Sequence, residues 1–219
     1  PMQSINKRYT LAYNGELYNY LEIKNKINLE FSNVIWKGTS DTEVFLRSIE
    51  YYGLMQSLKL FNGMFSFSLW DNDKNLLYLG RDSIGEKPLY YCLQENNFYF
   101  SSQIKCFKKL GANLNIDSDA VKLYLNLNYI PAPHSIFKNV KKLQSGNILK
   151  YDFKNSNIEL RNFKNYSSNN ENKFINKDPQ DLDKILQDVV SQQLIADVPV
   201  GVFLSGGIDS SLIASVASK

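Results

Sequence analysis

The stretch VPVGVFLSGGIDSSLIASVASK, residues 198–219, decides the fold class of the end of the chain. Its first seven residues, 198–204, are apolar and rich in β-branched side chains, which predicts a buried strand. Ser205-Gly206-Gly207 breaks this pattern, and an apolar helical run opens at Asp209-Ser210-Ser211. A strand, a glycine loop and a helix N-terminus together favour an anion, because the backbone N–H groups and the helix dipole point at it. The sequence therefore predicts a phosphate-binding loop.

This loop differs from the common nucleoside-triphosphate loop, G-x-x-x-x-G-K-[ST], because Ile208 and not lysine follows Gly207. A carboxylate such as Asp209 repels a polyphosphate unless a divalent cation lies between them. The alternative is that Ser205-Gly206-Gly207 is only a turn and that Asp209 caps the helix. We expect Asp209 to act on a nucleotide through Mg²⁺.

SGGIDSS after an apolar strand resembles the pyrophosphate loop of the ATP-pyrophosphatase superfamily, whose members adenylate a substrate and release pyrophosphate. The preceding DVPVG, residues 197–201, is similar to glutamine-dependent asparagine synthetases. The resemblance implies ATP and Mg²⁺ as cofactors. It places the pyrophosphate of ATP on the loop and the start of the helix, at Ser205, Gly206, Gly207, Ser210 and Ser211. It places the adenosine on backbone groups just before them, at Phe203 or Leu204.

The bulk composition excludes several classes of protein. A hydrophobic content of 43% over 219 residues predicts a globular core and not a disordered chain. The net charge of +3 is spread along the sequence, which argues against nucleic acid, and no apolar run approaches the roughly 18 residues that span a membrane. Cys92 and Cys106 lie among apolar residues. We expect free thiols, a reducing compartment and a cytoplasmic location.

The first 160 residues read as clustered hairpins with helices outside them. RYTLAY, residues 8–13, predicts a strand that ends in a two-residue turn at Asn14-Gly15. MFSFSLWD, residues 64–71, alternates apolar and serine side chains and pairs with residues 76–80. The remaining predicted elements are helices over 18–29, 40–52, 55–60, 104–110 and 117–127, strand pairs over 89–93 with 98–101 and 148–153 with 158–163, and a short strand over 34–36. This pattern predicts an α+β domain with largely antiparallel sheets.

A domain boundary is predicted near residue 165. KNYSSNNENKFINK, residues 164–177, is polar and rich in asparagine, which is typical of a linker, and a helix starts at Asp178 or Pro179. We therefore expect domains over 1–164 and 179–219, joined by a linker over 165–178. One strand and one helix cannot build a parallel α/β domain, so we expect a fragment that is cut at both ends.

YNGELYNY, residues 13–20, has two readings from its residues alone. It can be a hairpin turn, or its amide, backbone N–H and carboxylate groups can recognise a carboxamide substrate. YNGELYNY is similar to the signature of class II glutamine amidotransferase domains. This resemblance implies an N-terminal-nucleophile (Ntn) hydrolase fold, an αββα sandwich of antiparallel sheets. It further implies an oxyanion hole at Asn14 and Gly15, with Glu16 on the glutamine amino group and Asp41, from SDTE at 40–43, as a second carboxylate.

Further motifs extend the resemblance along the chain: GMFSF at 63–67, GRDSIGEKPLYY at 80–91, YIPAP at 129–133 and KKL at 141–143. In the family the nucleophile is a cysteine at the mature N-terminus, and neither Cys92 nor Cys106 occupies that position. We therefore expect the nucleophile upstream of Pro1 and no activity from these residues alone. Gln103, after Ser102, stands where the family usually has glutamate, with no catalytic consequence expected.

Together these resemblances imply a glutamine-hydrolysing asparagine synthetase, a carbon–nitrogen ligase. Glutamine supplies ammonia in the first domain, ATP activates aspartate to an aspartyl-adenylate in the second, and ammonia displaces AMP. The expected partners are the small molecules glutamine, aspartate and ATP, with no nucleic acid or membrane, and a homodimer is a possible assembly. Two alternatives stay open: a related amidotransferase that acts on another carboxylate, such as a surface-polysaccharide sugar acid, and an inert fragment. His134 is expected to be a loop residue.

Overall fold

The computed structural model describes residues 1–95, 97–163 and 179–218. The chain divides into two compact units, Pro1–Asn165 and Tyr166–Lys219. The linker predicted over 165–178 lies outside the described residues.

The first unit contains two antiparallel sheets. Its strands in chain order are β1 (Met2–Gln3), β2 (Tyr9–Leu17), β3 (Gly63–Asp71), β4 (Leu76–Arg81), β5 (Tyr90–Gln94), β6 (Asn97–Ser101), β7 (Lys141–Lys142), β8 (Asn147–Asp152) and β9 (Asn157–Asn162). Within the described residues the larger sheet has the order β1-β2-β3-β4-β8-β9, and the smaller sheet has the order β6-β5-β7. Both predicted hairpins, β3–β4 and β5–β6, are confirmed, as is the β8–β9 pair.

The helices of this unit are α1 (Tyr20–Glu30), α2 (Asp41–Tyr52), α3 (Leu54–Leu60), α4 (Lys105–Lys109) and α5 (Ser118–Leu127). The caps explain several of their bounds. The Ser40 hydroxyl accepts a hydrogen bond from the Glu43 N–H at the start of α2, Gly53 ends that helix, and the Asp117 side chain caps α5. The helices predicted at these positions are confirmed to within two residues at each end.

The layers follow from three apolar clusters. One cluster packs α1 and α2 on β2 and β3, and Phe45 of α2 meets Phe65 and Phe67 of β3. A second joins β4 and β8 of the larger sheet to β5 of the smaller one, and a third packs α4 on β5 around Phe107. The order is therefore helices, sheet, sheet, helix, and β3 is buried on both faces. Ser66 and Ser68 face the smaller sheet, because side chains alternate along a strand.

Two local predictions in this unit are wrong. Asn14-Gly15 is not a turn: β2 continues through both residues, because β3 pairs with it without interruption from Tyr9 opposite Asp71 to Leu17 opposite Gly63. The segment 34–36 is not a strand. The backbone just after it is held by a side chain instead, since the Glu43 carboxylate accepts the N–H groups of residues 37 and 38, at 2.8 and 2.7 Å.

The second unit contains α6 (Pro179–Gln193) and α7 (Ile208–Ala217). The strand predicted over 198–204 is wrong, since this segment forms no strand in the structure and its apolar side chains are exposed, Phe203 to 99%. A strand exists only where a neighbouring strand accepts and donates its backbone hydrogen bonds, and none of the described residues pairs with this segment.

Candidate active site

The backbone of Gly15 faces an open side of β2. Its partner in β3 is Phe65, whose N–H donates to Asp82 Oδ2 at 3.2 Å and whose carbonyl accepts from the Asp82 N–H at 2.7 Å. Both backbone groups of a strand residue point to the same side, so those of Phe65 point away from β2. Gly15 and Phe65 are therefore a non-hydrogen-bonded pair. It follows that the N–H of Gly15 points away from β3.

We call this side of β2, from residue 13 to residue 17, the β2 edge. The strand β1 covers β2 only at Thr10 and Leu11, and no other described strand pairs with β2 on this side. Leu17, two residues after Gly15, points to the same side, and its N–H donates to Asp41 Oδ2 at 2.9 Å. The structure thus brings Asp41 to the β2 edge, beside the Gly15 N–H.

Residue 15 is glycine because the two strands approach closely there. A Cβ atom at this position would overlap the Met64 carbonyl oxygen and the Phe65 Cα atom. Opposed Cα atoms of a non-hydrogen-bonded pair lie only about 4.5 Å apart. The glycine therefore serves the close approach of β3 and not the turn that the sequence indicated.

The Asn14 side chain lies on the face of the larger sheet that looks towards the smaller sheet, and it lines a cavity of about 180 Å³ between the two sheets. We call it the serine-lined cavity. It is lined by Ala12, Tyr13, Asn14, Ser66, Phe67, Ser68, Leu89, Phe100, Ser101 and Ser102. Asn14 Nδ2 donates to Ser102 Oγ at 3.4 Å. Sequence reasoning missed the serine lining of this cavity; the alternation of serine with phenylalanine in β3 was the one signal that could have pointed to it.

Carboxylates lie near the two tyrosine side chains that flank Gly15, those of Tyr13 and Tyr18. The Tyr13 hydroxyl is buried. Burial first, and then the carboxylates of Asp41 and Glu16, raise the pKa of Tyr13. Burial and the carboxylate of Glu86 are the leading causes that raise the pKa of Tyr18 to about 12. Carboxylates that disfavour a phenolate in this way also favour a bound ammonium group.

A buried carboxylate fixes the strand that lies opposite Gly15. Asp82 is 1% exposed, and its carboxylate accepts the Phe65 N–H together with the N–H groups of four residues of the following loop, Ile84, Gly85, Glu86 and Lys87. The neighbouring Arg81 donates to carbonyl groups of that loop and to Leu143, and burial lowers its pKa. The sequence motif GRDSIGEKPLYY contained both residues without revealing this role.

Neither cysteine belongs to the site. Cys92 is buried, and burial raises the pKa of its thiol, which is the reverse of what a thiolate nucleophile needs. Cys106 is a free thiol as well, as predicted, and neither lines the serine-lined cavity. His134 lies in a loop. Within residues 1–95, 97–163 and 179–218, no cluster of three or more His, Cys, Asp or Glu side chains could hold a metal ion.

The predicted phosphate loop has a defined geometry in the second unit. Gly206 has a φ of +82°, which favours glycine, and open space around it. Ser205 Oγ lies 2.9 Å from Ser210 Oγ, and Ser210 Oγ also donates to the Gly207 carbonyl at 3.1 Å. Asp209 and Ser211 belong to the first turn of α7, whose first N–H groups have no partner within the helix. The hydroxyl groups of Ser205 and Ser210 thus lie at the N-terminal end of α7, while Phe203 and Leu204 are exposed.

Comparison with known protein families identifies the first unit. Residues 1–164, about three quarters of the chain, match the glutamine amidotransferase domain model. The chain belongs to the glutamine amidotransferase domain family. Residues 181–219 match the asparagine synthase model. The family assignment predicted from YNGELYNY and SGGIDSS is confirmed.

Curated relatives of this glutamine amidotransferase domain protein carry both regions. The putative asparagine synthetase [glutamine-hydrolyzing] 2 of Methanocaldococcus jannaschii is 40% identical over 211 residues, which are 94% of this chain and 39% of the relative. Asparagine synthetase [glutamine-hydrolyzing] 1 of Bacillus subtilis is 34% identical over 223 residues, which are 100% of this chain and 34% of the relative. The chain thus spans between a third and two fifths of the length of these relatives.

A solved structure supports the fold class of the glutamine amidotransferase domain. The glutamine phosphoribosylpyrophosphate amidotransferase of B. subtilis, complexed with ADP and GMP, matches with a TM-score of 0.55 and 16% identity over 99% of this chain and 46% of that chain. The predicted αββα sandwich with antiparallel sheets is confirmed. None of the helices in the described residues is both long enough and apolar enough to cross a membrane.

Proposed function

We propose that this chain is the glutamine-hydrolysing part, and the start of the ATP-binding part, of an asparagine synthetase. One observation carries the proposal: the Gly15 N–H and the Asp41 carboxylate lie on the same uncovered β2 edge, although 26 positions separate them in the sequence. An N–H donor beside a carboxylate suits a substrate with an amide oxygen at one end and an ammonium group at the other.

Glutamine has these two ends. Asn14 Nδ2 and the Gly15 N–H form the oxyanion hole and stabilise the charge that develops on the carboxamide oxygen. Glu16 and Asp41 bind the α-ammonium group. Burial first, and then these two carboxylates, raise the pKa of Tyr13, and carboxylates that disfavour a phenolate also favour a cation. Asp41 keeps its position because Leu17 holds one of its oxygens. Thiolate attack on the carboxamide would release ammonia, and neither Cys92 nor Cys106 supplies that thiolate.

The second unit would use this ammonia on an activated acid. Ser205, Gly206, Gly207, Ser210 and Ser211 bind the pyrophosphate part of ATP, because the loop offers hydroxyl groups, open backbone and a helix N-terminus. Backbone groups at Phe203 or Leu204 meet the adenosine.

Asp209 fits a role toward Mg²⁺. Magnesium takes carboxylate and phosphate oxygens and keeps several waters, so a single protein carboxylate next to the phosphates is sufficient. Held there, Mg²⁺ would supply positive charge that offsets the charge on the leaving pyrophosphate. Aspartate is the proposed acceptor: its side-chain carboxylate forms an aspartyl-adenylate, and ammonia displaces AMP to give asparagine.

Each of the two reactions is assigned to one part of the chain. We assign glutamine hydrolysis to residues 1–164, a linker to 165–178 and the beginning of the ATP-binding domain to 179–219. The two compact units, which meet between residues 165 and 166, and the family matches to 1–164 and 181–219 support this assignment.

The test uses the longest open reading frame that contains these 219 residues. Glutamate release from glutamine measures the first activity, and pyrophosphate release from ATP with aspartate and ammonia measures the second. We expect both, with asparagine as the product. A protein that releases no glutamate contradicts the proposed glutaminase. One that releases glutamate but forms pyrophosphate only with another carboxylate, such as a uronic acid, contradicts aspartate as the acceptor.

A further inference from the structure

We propose that Ser102 is a positioning residue for Asn14: its hydroxyl holds the Asn14 side chain in the rotamer from which Nδ2 reaches the oxyanion. This inference rests on the proposed glutaminase function and extends it to a residue in the other sheet. Ser102 follows directly on β6, and Asn14 lies in β2, 88 positions away.

The contact is between two side chains that line the same cavity. Asn14 Nδ2 and Ser102 Oγ lie 3.4 Å apart at the serine-lined cavity. A carboxamide nitrogen carries two hydrogens, so Nδ2 can donate one to Ser102 and keep the other for a substrate oxygen. The bond between the sheets therefore orients the donor and leaves it available.

The position of the side chain matters because an oxyanion donor acts only when it points at the atom on which the charge develops. A serine hydroxyl both accepts and donates, so Ser102 restrains the rotamer of the Asn14 side chain and not the choice between its two amide orientations. Without this contact the side chain would populate other rotamers, and part of the enzyme would lack one oxyanion donor at any moment.

Two other hydroxyl groups of this cavity have partners of their own. Ser66 lies opposite Asn14 in β3, but its hydroxyl donates to the Pro88 carbonyl at 3.3 Å. The Ser101 hydroxyl accepts the Gln103 N–H at 3.1 Å. Among the hydrogen bonds of the described residues, the one to Ser102 is the one that restrains the Asn14 side chain.

Ser102 can be changed without a large cost to folding. It is half-buried and Asn14 is exposed, so their bond contributes little to the core. A variant at this position therefore separates an effect on catalysis from an effect on stability.

The test compares Ser102→Ala, Ser102→Thr and Ser101→Ala in the protein of the longest open reading frame, by the kinetics of glutamate release. For Ser102→Ala we expect kcat to fall about three- to tenfold, as loss of one neutral hydrogen bond predicts, with KM for glutamine unchanged. The effect should fall on kcat and not on KM because the oxyanion forms only in the transition state. Ser102→Thr keeps the hydroxyl and should restore kcat, and Ser101→Ala, the matched control from the same cavity, should match the wild type.

Thermal unfolding of each variant shows whether it folds as the wild type does. An unchanged kcat in Ser102→Ala, a rise in KM in place of the fall in kcat, an equal loss in Ser101→Ala, or no rescue in a stably folded Ser102→Thr would each overturn the inference. A wild-type protein without glutaminase activity would instead refute the proposed function, so the two failures are distinguishable.

Discussion

The carboxylate of Asp41 accepts a hydrogen bond from the backbone N–H of Leu17, with 2.9 Å between Oδ2 and N. This bond ties the first residue of α2 to the last residue of β2. It places a negative charge beside the backbone N–H of Gly15, and every proposal about glutamine binding depends on that placement.

We predict that Asp41→Asn weakens glutamine binding and leaves the fold intact. The amide oxygen of asparagine can still accept the Leu17 N–H, but the charge that would hold the ammonium group is lost. Hydrogen bonds to charged groups contribute about 1.5–3 kcal/mol, so KM for glutamine should rise about 10- to 100-fold. Steady-state glutaminase kinetics measure this. Asp119→Asn, which removes an exposed carboxylate of α5, is the control and should change nothing.

We predict that Gly15→Ala damages both stability and catalysis. The new methyl group would overlap the Met64 carbonyl oxygen and push β3 away from β2. Overpacking of this kind costs about 1–3 kcal/mol, and a displaced oxyanion donor costs about 100-fold in rate. Urea unfolding and glutamate release report the two effects. A methyl group at Gly38 makes only an ordinary contact with the Glu43 side chain, so equal losses in Gly38→Ala would contradict the explanation.

We predict that Tyr18 contributes to the loss of stability at high pH. Its pKa in the folded protein, about 12, lies above the usual value of 10.0, so the fold favours the neutral phenol. That contribution is complete below pH 10 and disappears as the pH rises from 10 towards 12. In Tyr18→Phe the free energy of unfolding should fall less steeply over this range. Tyr124→Phe, at an exposed position, should follow the wild type, and identical pH profiles for all three proteins would contradict the prediction.

We predict that Asp82→Ala strongly destabilises the first unit. The substitution leaves five backbone N–H groups without their acceptor and Arg81 without its neighbouring charge. A buried polar group that is left without its partner costs about 1–3 kcal/mol, so the summed loss should exceed about 3 kcal/mol. Urea unfolding measures the free energy of unfolding of this variant and of a control, Asp73→Ala. The control removes an exposed carboxylate that pairs with Arg8 at 3.5 Å, and it should lower the free energy of unfolding by less than about 1 kcal/mol. Similar losses in the two variants would show that burial of Asp82 is not the cause.

We predict that Asp209→Ala abolishes ATP-dependent pyrophosphate release and spares glutamine hydrolysis. Asp209 lies in the first turn of α7, in a compact unit separate from the β2 edge. Both activities are measured on one preparation of the protein from the longest open reading frame. Equal loss of both would contradict the assignment of the two roles to the two units. Asp183→Asn, at an exposed position of α6, serves as the control.

Local patterns were sufficient for much of the fold. The alternation of Phe65, Ser66 and Phe67 predicted β3, and the helices predicted over 40–52 and 117–127 begin within one residue of α2 and α5. Each of these features depends on residues within one helical turn or one strand of each other, so a short stretch of sequence is enough to predict it. Motif resemblance added the family, which the match to residues 1–164 bears out.

Local preference gave the wrong structure at two places, once because a distant strand pairs with the segment and once because no described strand does. Asn14-Gly15 is a strong turn signal, yet β3 holds both residues inside β2. Residues 198–204 have the composition of a buried strand, yet none of the described residues pairs with them. A strand depends on hydrogen bonds to a partner that may lie anywhere in the chain, and composition does not identify that partner.

The chemistry of the candidate site divides in the same way. Asn14, Gly15, Glu16 and Asp41 were proposed from two short motifs of the sequence, and their role in binding glutamine stays a prediction. The bond of Asp41 to Leu17, the direction of the Gly15 N–H and the contact of Asn14 with Ser102 could not be named. Each of these depends on residues that are distant in sequence. The register of β2 on β3 sets the direction of the Gly15 N–H, because hydrogen-bond direction depends on which strand lies opposite. The stacking of the two sheets brings Asn14 to Ser102.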